Sequence, residues 1–150
     1  MKQAIFNKYL KQMAAFCSRS EKCEFDIRQK LEKTELDIEK IDEIIQYLIE
    51  NKYVDNQRYA IFFTNDKFKF NKWGKQKIKA HLKQKQIKST IIENALNSIN
   101  EKEYKKTLKE IIEKKRKSIK ETDKYKLKEK IIRNALSKGF EIDLIYSFLN

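Results

Sequence analysis

The chain has 150 residues, with 35 Lys+Arg against 22 Asp+Glu and a formal net charge of +13. That length suits one ordinary domain or a short array of small units, and the excess of positive charge favours nucleic acid, nucleoprotein or an anionic surface as partner. The absence of Pro and the presence of only Gly74 and Gly139 remove most turn chemistry and argue against a sheet-rich fold.

In chain order, the pattern predicts a first helix over about residues 3–17. A set of apolar positions follows: Ile27, Leu31, Leu36, Ile41, Ile44, Ile45 and Leu48. An i, i+4 pair, a break and a longer stripe at helical spacing mark two amphipathic helices joined by a short turn. Asp37 and Asp55 stand where carboxylates cap the helices expected over residues 38–51 and 56–70. The same apolar pattern returns as Ile78, Leu82, Ile87, Ile91, Ile92 and Leu96. After a predicted helix over residues 101–120 it recurs as Ile131, Ala135, Phe140, Leu144, Ile145 and Phe148. Gly139 suits the left-handed residue that ends a helix, and Glu35 and Gln86 hold the corresponding places in the earlier units. The expected fold is therefore all-α: three tandem three-helix repeats, over residues 1–54, 55–100 and 101–150, forming an elongated, curved, right-handed-type helical array. Neighbouring units are expected to share apolar faces, and a polar outer face is compatible with a monomer.

Between Asp66 and Glu93 the chain has no acidic residue, while Lys67, Lys69, Lys72, Lys75, Lys77, Lys79, Lys83, Lys85 and Lys88 fill the interval. On a helix beginning near Gly74, Lys75, Lys79 and Lys83 form an i, i+4, i+8 row. Such a row repels itself unless a partner relieves it, which favours phosphates or acidic groups over a merely solvated face. The second cluster, Lys114 to Lys117, reads equally well as an exposed helix end or a DNA contact through Lys115 and Arg116. Arginines are scarce here and bind carboxylate or phosphate in bidentate fashion. Arg19 and Arg28 are candidates for a partner surface, and Arg58 for a bridge between the first two units. Trp73 reads as an anchor for its linker, and Phe62, Phe63, Phe68 and Phe70 as core between units.

No catalytic constellation emerges. His81 is the only histidine, and with Cys17 and Cys23 it lacks paired metal-ligand spacing. There is no P-loop, dinucleotide fingerprint or nucleophile elbow, so the expectation is a non-enzyme without cofactor or metal. No window reaches the length of a membrane span and the first residues are too polar for a secretory signal. A cytoplasmic protein with reduced thiols and no membrane partner is expected.

Several segments together resemble the RecX family of RecA regulators. They are Ile27-Arg28-Gln29-Lys30-Leu31, Tyr53-Val54-Asp55-Asn56-Gln57-Arg58-Tyr59-Ala60, Phe63, Lys72-Trp73-Gly74, the run from Ile78 to Ile87, and Ala135-Leu136-Ser137-Lys138-Gly139-Phe140. The chain departs from the family pattern at Asn56, Gln57, Gln86 and Ala135, where an acidic residue, Glu, Gly and Leu are usual. The resemblance implies a modular protein of three-helix repeats lying in the groove of the RecA–DNA filament. There it would restrain ATP hydrolysis and strand exchange in recombination, DNA repair and the SOS response. The alternative is a helical module that binds single- or double-stranded DNA directly, without a recombinase partner.

Overall fold

In the computed structural model, which describes residues 2–149, the chain forms nine helices and no strand among those residues. They are α1 (Lys2–Arg19), α2 (Glu24–Leu31), α3 (Ile38–Glu50), α4 (Asn56–Asn71), α5 (Lys75–Gln84), α6 (Ser89–Asn97), α7 (Glu101–Ser118), α8 (Lys124–Ser137) and α9 (Ile142–Ser147). The expected all-helical repeat array is what the structure shows. α3 packs on α1 and α2; α4, α5 and α6 pack on one another; α8 packs on α7 and α9. The accessible surface is 10127 Å². A compact monomer of this mass would expose about 8,100 Å², so the array is extended.

Side-chain caps set the helix starts. The Asp37 carboxylate accepts from the Lys40 N–H at 2.9 Å, and that of Asp55 from the N–H groups of Gln57 and Arg58 at 2.9 and 3.1 Å. Asn100 and Asp123 cap α7 and α8 in the same way. Each cap satisfies backbone donors that the helix itself leaves free.

The hairpin turns are alike in the second and third units and different in the first. Gln86 and Gly139 both adopt positive φ, 58° and 98°. Each is followed by a residue whose N–H reaches back into the preceding helix: Ile87 to the Leu82 carbonyl and Phe140 to the Ala135 carbonyl, both at 3.2 Å. The expectation for Glu35 is corrected: it is not left-handed. Six residues, 32–37, separate α2 from α3, against four in each later hairpin. The longer turn closes through Thr34, whose hydroxyl donates to the Leu31 carbonyl at 2.5 Å, and Glu35 instead accepts from the Tyr9 hydroxyl at 2.8 Å.

Two apolar clusters divide the array. One holds Met13, Cys17, Ile27, Leu31, Ile41, Ile44, Ile45, Leu48 and Val54, all from the first three helices and the turn after them. The other runs without interruption from Tyr59 and Phe68 through Ile78, Leu82 and Tyr104 to Phe140 and Ile145. The second and third units thus share one core, as expected. The first joins them differently: only Cys23 and Phe25 reach into the larger cluster, and the rest of that junction is polar.

The aromatic assignments on α4 need correction. Phe68 is buried and Phe63 half-buried, but Phe62 is 51% and Phe70 78% exposed. The inward stripe of α4 is Ala60, Thr64 and Phe68, spaced by four. Phe62 lies across the helix from it, and Phe70 lies in the last turn beyond the point where Phe68 meets Tyr104.

Candidate nucleic-acid interface

Around the α4–α5 linker the sequence assembles a half-exposed group of rings and cations. Lys72 ends α4 with φ 56°, turning the chain back so that Trp73 lies beside Phe63 (6.2 Å between ring centroids) and His81 (4.7 Å). The ammonium groups of Lys67 and Lys77 sit 5.2 and 4.5 Å from the Trp73 ring. Each is in the range where a cation is attracted to an indole face.

The lysine row on α5 does not stand free. Lys75 pairs with Glu101 at 3.1 Å and lies 4.7 Å from the Tyr104 ring, while Lys79 pairs with Glu93 at 3.3 Å. Both partners come from outside the acid-free interval, so the repulsion that the row would suffer is relieved within the protein. Lys83 remains exposed on α5, as does Lys69 in the last turn of α4. Arg19 is exposed at the end of α1. Arg28 pairs with Asp42 and Arg116 with Glu113, at 2.7 and 2.6 Å. Lys115 is half-buried on α7 and distant in sequence from the α5 lysines.

Arg58 ties α4 to the loop before α2. Its Nε donates to Glu21 at 2.7 Å and its Nη2 to the carbonyls of Lys52 and Tyr53 at 3.1 and 3.3 Å. The hydrogen bond to Glu21 holds the guanidinium pKa above its ordinary value. Lys85 pairs with Asp26 at 2.6 Å, and the Glu24 N–H donates to Asn56 Oδ1 at 2.9 Å, which completes a polar seam between the first and second units. Asn56, a departure from the usual acidic residue, thereby serves the seam as a neutral acceptor.

Between the second and third units the contact is tighter. The Gly74 N–H donates to the Lys138 carbonyl at 2.7 Å and the Gln76 N–H to the Gly139 carbonyl at 2.9 Å. The fully buried Tyr104 hydroxyl accepts from the Lys75 N–H at 2.9 Å and donates to Glu141. Burial first, then the Glu141 carboxylate, pushes the phenol pKa well up.

The structure also brings together cations that the sequence scatters. A cleft of about 360 Å³ is lined by Lys72, Lys114, Lys115 and Lys138, with Glu110 as the one carboxylate. Lys115 and Asn134 continue into a second cleft of about 630 Å³ that adds Lys120, Lys130 and Arg133. Lys120, Arg133 and Lys138 had no signal as a group, because a helical array alone unites them. No helix among the described residues is long and apolar enough to cross a membrane.

Comparison with known proteins agrees with this architecture. Residues 55–96 match the model of the second three-helix domain of RecX, and residues 102–149 that of the third. Together these matches span more than half of the chain. The chain belongs to the RecX family. It is 35% identical to a regulatory protein RecX of Clostridium tetani over 137 residues, covering 90% of this chain and 62% of that protein. With a regulatory protein RecX of Staphylococcus aureus it shares 30% identity over 135 residues, covering 90% of this chain and 49% of that one. The crystal structure of RecX from Lactobacillus salivarius superposes with a TM-score of 0.87 at 23% identity, covering 96% and 94% of the two chains. The chain spans about 60% of the length of the clostridial RecX proteins that it matches.

Proposed function

We propose that this protein is a non-enzymatic regulator, mainly an inhibitor, of the RecA recombinase. It binds along the groove of the RecA–DNA filament as a monomer in the cytoplasm and needs no cofactor. Membership of a family whose relatives carry the name regulatory protein RecX is the observation that carries this reading. The surface chemistry supports it: a net charge of +13 is attracted to a polyanion such as a nucleoprotein. In this reading Arg19, Arg28, Lys67, Lys69, Lys72, Lys75, Lys77, Lys79, Lys83, Lys115 and Arg116 face the filament. Arg58, Trp73, Gly74 and Gly139 fix the angles between units.

Inhibition follows from geometry. An extended array that touches adjacent recombinase subunits holds them in one arrangement, and it shifts the filament toward that arrangement only by as much as it binds it better than the others. Lysines in the groove meet phosphates and acidic side chains together, which restrains ATP turnover and blocks the second DNA strand.

The test is RecA ATP hydrolysis on single-stranded DNA at fixed salt, titrated with the parent and with a Lys69→Glu, Lys77→Glu, Lys83→Glu variant. Circular dichroism checks folding. The parent is expected to inhibit and the folded variant to lose inhibition. A parent that never slows its own recombinase, while binding bare DNA tightly, establishes the simple DNA-binding module instead.

A further inference from the structure

We propose that the paired clefts between α7 and α8 hold the sugar-phosphate backbone of duplex DNA, independently of base sequence. This inference rests on the DNA-contacting half of the proposed function and assigns that contact to a place and a form of DNA. Seven cations line the clefts: Lys72, Lys114, Lys115, Lys120, Arg133 and Lys138 have no ion-pair partner among the described residues, whereas Lys130 pairs with Glu121 at 3.3 Å and Glu110 is the one carboxylate in the walls. On α5, by contrast, Lys75 and Lys79 are already neutralised by Glu101 and Glu93. Unrelieved like charges gathered in a concave surface focus the field and draw in a polyanion.

The lining decides what kind of polyanion. A protein partner requires a dry centre with aromatic or aliphatic anchors, and lysine is depleted at such interfaces. Here Ile111 and Ile119 are the only apolar residues in the walls. Single strands gain affinity by stacking bases on aromatic side chains as well as by backbone charge. Neither cleft has an aromatic ring in its wall. What remains is mainly charge, supplied mostly by lysines acting as point charges rather than bidentate readers. Charge alone favours the form with the greater density of phosphates, and duplex DNA carries one charge per roughly 1.7 Å of axis. Half-buried Lys115, common to both clefts, joins them into one track.

The test measures binding of the whole chain, without recombinase, to a short labelled duplex and to the equally long single strand across a salt series. The variants are Lys114→Gln, Lys115→Gln, Arg133→Gln, Lys138→Gln in the clefts, and Lys11→Gln, Lys33→Gln, Lys102→Gln, Lys124→Gln as a charge-matched control elsewhere. The parent is expected to prefer duplex by about tenfold, with a steep salt dependence. The cleft variant should flatten the log–log salt slope by about 3 to 4, and the control by about 1 or less. A folded cleft variant that keeps the parent's slope overturns the proposal, as does a parent that prefers the single strand. A cleft variant with the parent's slope that no longer inhibits RecA assigns the clefts to acidic recombinase side chains instead. If the parent binds no bare DNA yet still inhibits, the clefts are wrong and the regulator reading stands.

Discussion

Gly74 and Gly139 meet backbone to backbone, one starting α5 and the other ending α8. A Cβ on Gly74 would overlap the carbonyl of Gly139 and the nitrogen of Phe140, and a Cβ on Gly139 would lie 2.6 Å from the Lys77 nitrogen and 3.0 Å from the Gly74 oxygen. The chain's only two glycines are spent on one contact. Gly139 also carries the positive φ of 98°, which costs a residue with a side chain about 1 kcal/mol or more.

Gly74→Ala is therefore expected to destabilise the protein by about 1–3 kcal/mol through overpacking. Gly139→Ala should cost more, since backbone strain adds to the clash. Because either Cβ already separates the two backbones, the double variant should cost less than the two losses added, which a double-mutant cycle in urea measures. Strict additivity would show that the two clashes are independent.

Tyr104→Phe removes one hydroxyl and strands two groups, the Lys75 N–H and the Glu141 carboxylate. The expected loss is about 1–2 kcal/mol, because both groups are half-buried and lose their partner together. Amide exchange at Lys75 should accelerate, while exchange within α2 and α3 stays as in the parent. A variant as stable as the parent would show that water replaces the hydroxyl.

Arg58→Ala opens the polar seam by removing the bonds to Glu21 and to two carbonyls. With the Arg58 side chain 42% exposed, the global cost should be modest, about 1 kcal/mol. Exchange at residues 52–56 is the sensitive readout and should rise. Arg58→Lys should fail to restore it, because an ammonium cannot reproduce the planar fork.

The pH dependence on the alkaline side follows from buried acids. Burial pushes the Cys23 thiol up from 9.0 to about 12 and raises Cys17 in the same direction. A thiol raised in the folded state contributes stability that is whole below the unfolded pKa and disappears as pH climbs through the folded one. Between pH 9.0 and about 12 the unfolded chain has released a proton that the native chain retains, so stability must fall with rising pH. Cys23→Ala should be weaker at neutral pH, from lost packing, but show a shallower decline over that window. Both thiols should resist a thiol reagent at pH 8 until denaturant is added, as protonated buried cysteines do.

Much of the fold was legible because its signals are local. The caps at Asp37 and Asp55, the recurrent apolar stripes and the left-handed Gly139 depend on neighbours within a few residues. Gln86 takes the glycine's conformation without being glycine, which the alignment of stripes revealed and residue type did not. Glu35 was misplaced because two extra turn residues leave the apolar pattern intact. Phe62 and Phe70 show the limit of periodicity: α4 has more aromatic residues than inward positions, and the pattern does not say which are left outside. The site was less legible than the fold. That Lys75 meets Glu101 and Lys79 meets Glu93 is a tertiary fact, and the same holds for the seven cations of the α7–α8 clefts. A lysine-rich segment announces charge, but only the fold decides which charge is spent internally.

The division of the apolar residues into two clusters sets the order in which the chain can fold as it is made on the ribosome. Every buried member of the first cluster lies between Met13 and Val54, so α1–α3 can close while synthesis continues. The second cluster must wait. Ile78, Leu82 and Ile92 can pack within the second unit, where α4, α5 and α6 meet, but the cluster is complete only when Leu108, Phe140 and Ile145 join it.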